Sequence, residues 1–117
     1  MWNAALVINY NTPVPGREAK ALEVFANAFT IYGRLAEEGM CAEPEVFHHL
    51  VGGGMFIIKT ETVEIANKIL DMDDVRKMLD TAVFTVTEFD VEIMVTGDKL
   101  MENMSLYTTI GAELGYI

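Results

Sequence analysis

The stretch TPVPG, residues 12–16, separates two patterns that cannot belong to one element. Ahead of it, over residues 4–11, Leu6, Ile8 and Tyr10 alternate with Ala5, Val7, Asn9 and Asn11, the period of two expected of a strand whose faces meet different surroundings. Behind it, over residues 17–38, Leu22, Phe25, Ala26, Phe29, Gly33 and Ala36 recur at helical spacing, and Gly39 stands where a left-handed residue closes a helix. The prolines stop the strand and hold the backbone for helix entry. A second stripe on the same helix, Val24, Ala28, Ile31 and Leu35, widens its apolar surface and predicts that it meets a second protein surface besides a sheet.

Residues 41–51 and 55–61 are rich in apolar, β-branched and aromatic residues and flank Gly52, Gly53 and Gly54, which predicts a hairpin. Pro44 assigns the first of these strands to a sheet edge, because proline cannot donate to a central ladder. Two short helical segments follow, TVEIANKIL and DVRKMLD, the second with Asp71 as its expected cap and Asp74 three residues later. Residues 82–96, AVFTVTEFDVEIMVT, read as one long last strand, and the remaining DKLMENMSLYTTIGAELGYI as a tail with scattered apolar residues.

The order strand, helix, strand, strand, helix, strand is the βαββαβ arrangement of ferredoxin-like α+β domains. Right-handed crossovers place both helical regions on one face of a four-stranded antiparallel sheet, with the second and fourth strands at its edges. The other face is too apolar to leave in water, so a second copy is the expected cover. Residues 1–97 are then the domain and 98–117 an extension that docks on a neighbouring subunit.

The chain resembles the dimeric α+β barrel superfamily, which includes small antibiotic-biosynthesis-type monooxygenases, ligand-binding domains and haem-using enzymes. The resemblance covers about residues 4–97. It rests on the element order, on the entry PVPGREAKALEVF to a long first helix, and on the broken second helix ILDMDDVRKMLD. It implies two sheets packed across a two-fold axis, with each pocket between a sheet and its loops or helices.

Bulk composition narrows the partners. With 117 residues the chain holds one domain of modest core, for which oligomerisation would bury further apolar surface. Hydrophobic residues make up 51%, yet no apolar run reaches the ~18 residues that a membrane helix needs. A formal charge of −10 repels nucleic acid and anionic membranes. The lone Cys41 permits neither an intrachain disulfide nor a cysteine cluster for zinc. MWNAALVINYN has neither the basic region nor the cleavage site of a signal peptide, so a cytoplasmic location is expected.

The candidate site starts from EVFHHLVGGG, which carries the only two histidines. Neighbours on a strand point to opposite faces, so only one of His48 and His49 can serve a given pocket, and the pair cannot readily grip one metal ion. A two-residue turn at Gly52 and Gly53 puts His48 on the face of Lys59 and His49 opposite Phe56; a three-residue loop exchanges them. The chosen histidine, with an unperturbed pKa of ~6.5, is the candidate catalytic base or donor. Asn9, Asn11, Lys59 and Tyr10 are the candidate ligand-binding residues. Glu88, Asp90 and Glu92 share one strand face, where they could take a cation or simply charge an edge against sheet addition. GGG is no phosphate loop, because it precedes a strand and lacks the Lys-Ser/Thr pair. No cofactor and no metal are expected.

Three functions fit this reading. One is a small dimeric-barrel protein binding an apolar or aromatic molecule, as in a cofactor-independent monooxygenase-like enzyme. The others are a non-catalytic oligomeric binding or assembly module and, third, a haem-dependent enzyme.

Overall fold

A computed structural model describes all 117 residues. Its elements are β1 (Ala4–Tyr10), α1 (Glu18–Glu37), β2 (Glu45–His48), β3 (Gly54–Thr60), α2 (Val63–Leu70), α3 (Asp73–Ala82), β4 (Asp90–Val95) and α4 (Gly97–Glu113). The strands form one antiparallel sheet in the order β2-β3-β1-β4. This is the ferredoxin-like α+β fold, with β2 and β4 at the edges as Pro44 required.

Alternation on the strands sorts the two faces. Leu6 and Ile8 of β1, Phe56 and Ile58 of β3, and Val91 and Ile93 of β4 turn toward the helices and meet Ala28, Ile31, Tyr32 and Leu35 of α1, Ile69 of α2, and Val75 and Met78 of α3. The α1 stripe expected to reach outward, Val24, Ala28, Ile31 and Leu35, therefore faces this chain's own core. The outward residues are Leu22, 69% exposed, and Phe29, 42% exposed. The core needs the wider stripe because α1 must cover both the sheet and α3.

Three local expectations change. The hairpin connection is five residues, His49–Gly53, closed where the His49 N–H donates to the Gly53 carbonyl at 2.8 Å and the Gly52 N–H to the His49 carbonyl at 3.1 Å. Asp71 ends α2 instead of capping α3, whose first turn is held by the Asp74 carboxylate accepting from the Val75 N–H at 2.9 Å. The long last strand is shorter than expected. Residues 83–85 form a turn, with the Thr85 hydroxyl donating to the Ala82 carbonyl at 2.9 Å; Val86 makes only an isolated antiparallel bridge to Pro13, and Glu88 takes a left-handed φ of 50° before β4 begins at Asp90. That break removes Glu88 from the carboxylate row: Asp90 and Glu92 stay on β4, while Glu88 accepts from the Asn11 amide at 3.0 Å.

The C-terminal tail is a helix. The α4 segment contributes no buried residue and packs along no other element. It gives the molecule a 53 Å long axis and a radius of gyration of 16.6 Å, against about 13 Å for a compact domain of this length. No helix is long and apolar enough to cross a membrane.

One buried group is left without a partner. Tyr32 is fully buried and its hydroxyl makes no hydrogen bond, and burial, then the charges of Cys41 and Asp74, push its pKa far up. An unsatisfied buried hydroxyl costs about 1–3 kcal/mol. Tyr32→Phe is therefore expected to match or exceed the parent in stability, by up to about 1 kcal/mol after some loss of packing. Urea midpoints of the two proteins check this, and a clear loss in the variant would mean that the hydroxyl has a partner.

Candidate functional site

The helix face of the sheet is not filled to its end. Beyond Ile8 and Phe56 a cavity of about 390 Å³ opens between the sheet, α1 and α3. Its floor is Ile8, Tyr10 and Phe56; Val24, Phe25 and Ala28 of α1 and Met78, Leu79 and Ala82 of α3 form the walls. Gly52 and Gly53 of the hairpin loop, Pro13 and Val86 surround the opening. The glycines matter here. A Cβ on Gly53, whose φ is 76°, would lie 2.9 Å from the Asn11 Cα and from the Tyr10 carbonyl oxygen, so only glycine lets the loop close against the end of β1.

The walls are aromatic and aliphatic, with ring centroids of Phe25 and Phe56 5.2 Å apart. One polar pair interrupts them. The Tyr10 hydroxyl and His48 Nε2 lie 2.5 Å apart, and the Phe25 ring edges His48 at 5.5 Å. Desolvation raises the Tyr10 pKa to about 12. Tyr10 therefore stays a neutral phenol, and it donates to Nε2 in the tautomer that carries the His48 proton on Nδ1. His48 is exposed at the opening and Tyr10 is half-buried behind it, so the pair runs from the cavity to bulk water.

The expected site residues divide between two faces. The strand register pairs His48 with Gly54 and Val46 with Phe56, so His48 faces the helices, as a three-residue loop would also have required. Tyr10, His48 and Asn11 line the cavity. Lys59 and Asn9 do not. Lys59 faces the open side of the sheet and pairs with Glu45 at 2.8 Å, and the Asn9 amide donates to Glu92 on that same side at 3.4 Å. The grouping of a histidine with Asn9 and Lys59 is thus corrected, because the observed register has the opposite parity. His49 lies in the hairpin loop, outside the ladder. Asn11 borders the cavity with its amide already committed to Glu88 and to the Thr12 N–H. The sequence reading missed Phe25 and Phe56 as walls, although their spacing to core positions was visible.

No family model matches the chain, and no curated protein matches it. Solved structures do. Rv0793 from Mycobacterium tuberculosis superposes with a TM-score of 0.67 over 82% of this chain and 96% of its own, at 10% identity. A candidate antibiotic biosynthesis monooxygenase from Deinococcus radiodurans gives 0.59 over 80% and 93%, at 15% identity. A dimeric protein of unknown function and ferredoxin-like fold from Bacteroides fragilis gives 0.57 over 80% and 96%, at 7% identity. This chain has the fold of these proteins, the ferredoxin-like α+β fold.

Proposed function

We propose that this protein binds a flat, apolar or aromatic small molecule between its sheet and helices, and that the Tyr10–His48 pair handles a proton of a hydroxyl group on that ligand. The observation that carries the reading is the cavity itself. Its volume of about 390 Å³ falls within the ~300–1,000 Å³ of ordinary ligand sites, and an apolar lining with one polar pair is their usual make-up.

The pair's geometry supports a directed transfer. A ligand hydroxyl that reaches Tyr10 passes its proton to the phenol oxygen as the Tyr10 proton moves to His48 Nε2, and the Nδ1 proton leaves to water at the opening. With a pKa near 12, Tyr10 gives up its proton only as it receives another. The deprotonated hydroxyarene is electron-rich and suits attack on dioxygen, which agrees with the Deinococcus radiodurans protein being described as a candidate monooxygenase. A haem reading has less support, since Nε2, the atom that would ligate iron, is occupied by Tyr10.

Self-association belongs to the same proposal. The open sheet face carries Phe47 and Met94, 56% and 49% exposed, the half-buried Met55 and Ile57 and the already buried Ala5 and Val7, with Glu45, Lys59, Asp90 and Glu92 toward its margins. A second copy covering the apolar centre leaves those charges at a wet rim, as interfaces generally do. The Bacteroides fragilis neighbour is described as dimeric, which agrees with this arrangement.

Titration with 2-naphthol and naphthalene tests the pocket. The parent is expected to bind both saturably and to prefer 2-naphthol by about tenfold, the worth of one good hydrogen bond. His48→Phe should abolish the preference and Ala82→Leu, which fills the cavity, should weaken both. Absence of saturable binding, or a preference that survives His48→Phe, would overturn the reading. Oxygen uptake with a dihydroxynaphthalene, lost in His48→Phe, is the catalytic readout.

A further inference from the structure

The α4 helix follows the β4 edge strand and ends in the last residues of the chain. The match to Rv0793 spans 82% of this chain and 96% of that one, so close to a fifth of this chain lies outside what the two share. The α4 helix is fixed at its root. The Asn3 side-chain oxygen accepts from the Asp98 N–H at 2.9 Å, and the Thr96 N–H donates to the Asn3 carbonyl at 2.9 Å. Gly97 makes this possible: its φ is 56°, and a Cβ there would lie 2.7 Å from the Asn3 oxygen and 2.8 Å from the Trp2 carbonyl oxygen. A held root followed by a helix without buried residues describes an arm aimed at something outside its own domain.

Its surface is sorted for contact. At 100° per residue, Leu100, Met104, Tyr107, Ile110 and Leu114 fall within one sector of about 120°, with Asn103 and Gly111. Asp98, Glu102 and Glu113 fall on the opposite side with Ser105 and Thr109. The stripe residues are all exposed, from 37% for Leu100 to 64% for Leu114. A lone helix of this length is marginal in water, so the stripe needs a cover to hold the helix.

We propose that this cover is a second copy of the chain, with each α4 docking its Leu100–Leu114 stripe on the other subunit. The inference deepens the self-association reading and rests on it for the placement of the arm. The β4 edge strand leads directly into α4, so the arm leaves from the margin of the open sheet face, and whichever molecule covers that face lies beside it. The area agrees with a reciprocal dimer. At about 25 cal/mol per Å² and 1.5–3 kcal/mol per buried side chain, five stripe side chains bury about 300–600 Å² per arm. With the surface they cover, and two arms, the total is about 1,200–2,400 Å², the size of a stable specific interface. Charge selects the same contact: two chains of net charge −10 can approach most closely where the stripe carries no charge.

Sedimentation of the full chain and two variants decides the matter. The parent is expected to sediment as a dimer of 13.0 kDa chains. The double variant Tyr107→Asp with Ile110→Asp should raise the dissociation constant by at least about a hundredfold, as loss of two interface anchors does. Met94→Glu, on the open sheet face and 49% exposed, tests the sheet contact separately. Dissociation of both variants supports the arm and the sheet contact together. If only the arm variant dissociates, the arm stands and the sheet contact falls. If only Met94→Glu dissociates, the arm proposal is overturned and the sheet dimer stands. A parent at one-chain mass, or two variants with parental affinity, overturns the arm.

Discussion

Phe56→Ala is expected to cost about 3–5 kcal/mol, the range for truncating a large aromatic in a packed core. Phe56 is 3% exposed at the middle of β3, opposite Ile8 on β1 and Val46 on β2, so its ring supports the sheet at the point where three strands meet. It also gathers the surrounding rings: Phe25 and Phe29 lie at 5.2 Å, Tyr32 at 6.2 Å and Tyr10 at 6.4 Å between centroids. Neighbours on one side cannot fill the vacated space, because that side already borders the cavity. Small domains have only ~5–15 kcal/mol in total. The variant should therefore sit near its unfolding midpoint at low denaturant. Phe29→Ala, removing a ring that is 42% exposed, should cost less than half as much. Urea unfolding followed by circular dichroism measures both, and equal losses would show that the aromatic cluster is not organised around Phe56.

The fold was legible wherever a segment's period matched the surface it meets. Alternation in Ala4–Tyr10 set both the strand and its two faces, because one side packs on helices and the other does not. The entry through Pro13, Pro15 and Gly16 and the closing Gly39, with φ 81°, bounded the first helix. Residues 83–89 misled because Val, Phe and Thr favour strands, whereas here the chain must turn out of α3. The backbone bonds Phe84 N–H to Thr81 carbonyl and Thr85 N–H to Ala82 carbonyl show tertiary geometry overriding that preference. The helix α4 was hidden for another reason. Its apolar positions recur at helical spacing, but three threonines and serines and three glycines from Gly97 to Gly115 argue locally for a loop, and no contact with the domain core offsets them.

The site was legible as a short list of residues and not as a grouping. Strand neighbours face opposite ways, so reading the sequence could reduce the histidines to alternatives, but the choice between them turned on the parity of one loop. The five-residue connection puts His48 with Tyr10 instead of with Lys59, and nothing in LVGGG announces that length. Tyr10 stands among the candidate ligand-binding residues on the sequence alone. It is half core and half site: its ring packs on Phe25 and Phe56, and its hydroxyl ends at His48. The wall residues escaped notice because a cavity is a property of the space between α1, α3 and the sheet, which no single segment encodes.

Gly54→Ala is the second substitution with a large expected effect, and it joins the fold to the site. Gly54 opens β3 and pairs with His48 at the end of the β2 ladder. A Cβ there would lie 2.2 Å from the Phe47 carbonyl oxygen, 2.8 Å from the His48 Cα and 2.7 Å from the His48 ring. Two of those atoms are backbone, so relief requires the end of β2 to move away from β3. Overpacking of this kind costs about 1–3 kcal/mol, and the upper end is expected because an edge strand of four residues has few other bonds to hold it. The movement carries His48 away from the Tyr10 hydroxyl, so the variant should lose the 2-naphthol preference while still binding naphthalene. Phe47→Ala, whose side chain is on the open face and 56% exposed, should leave that preference intact. Thermal melting together with the naphthol titration reads both consequences. A Gly54→Ala protein with parental stability and parental preference would show that β2 is free to shift, and that the Tyr10–His48 contact does not depend on its register.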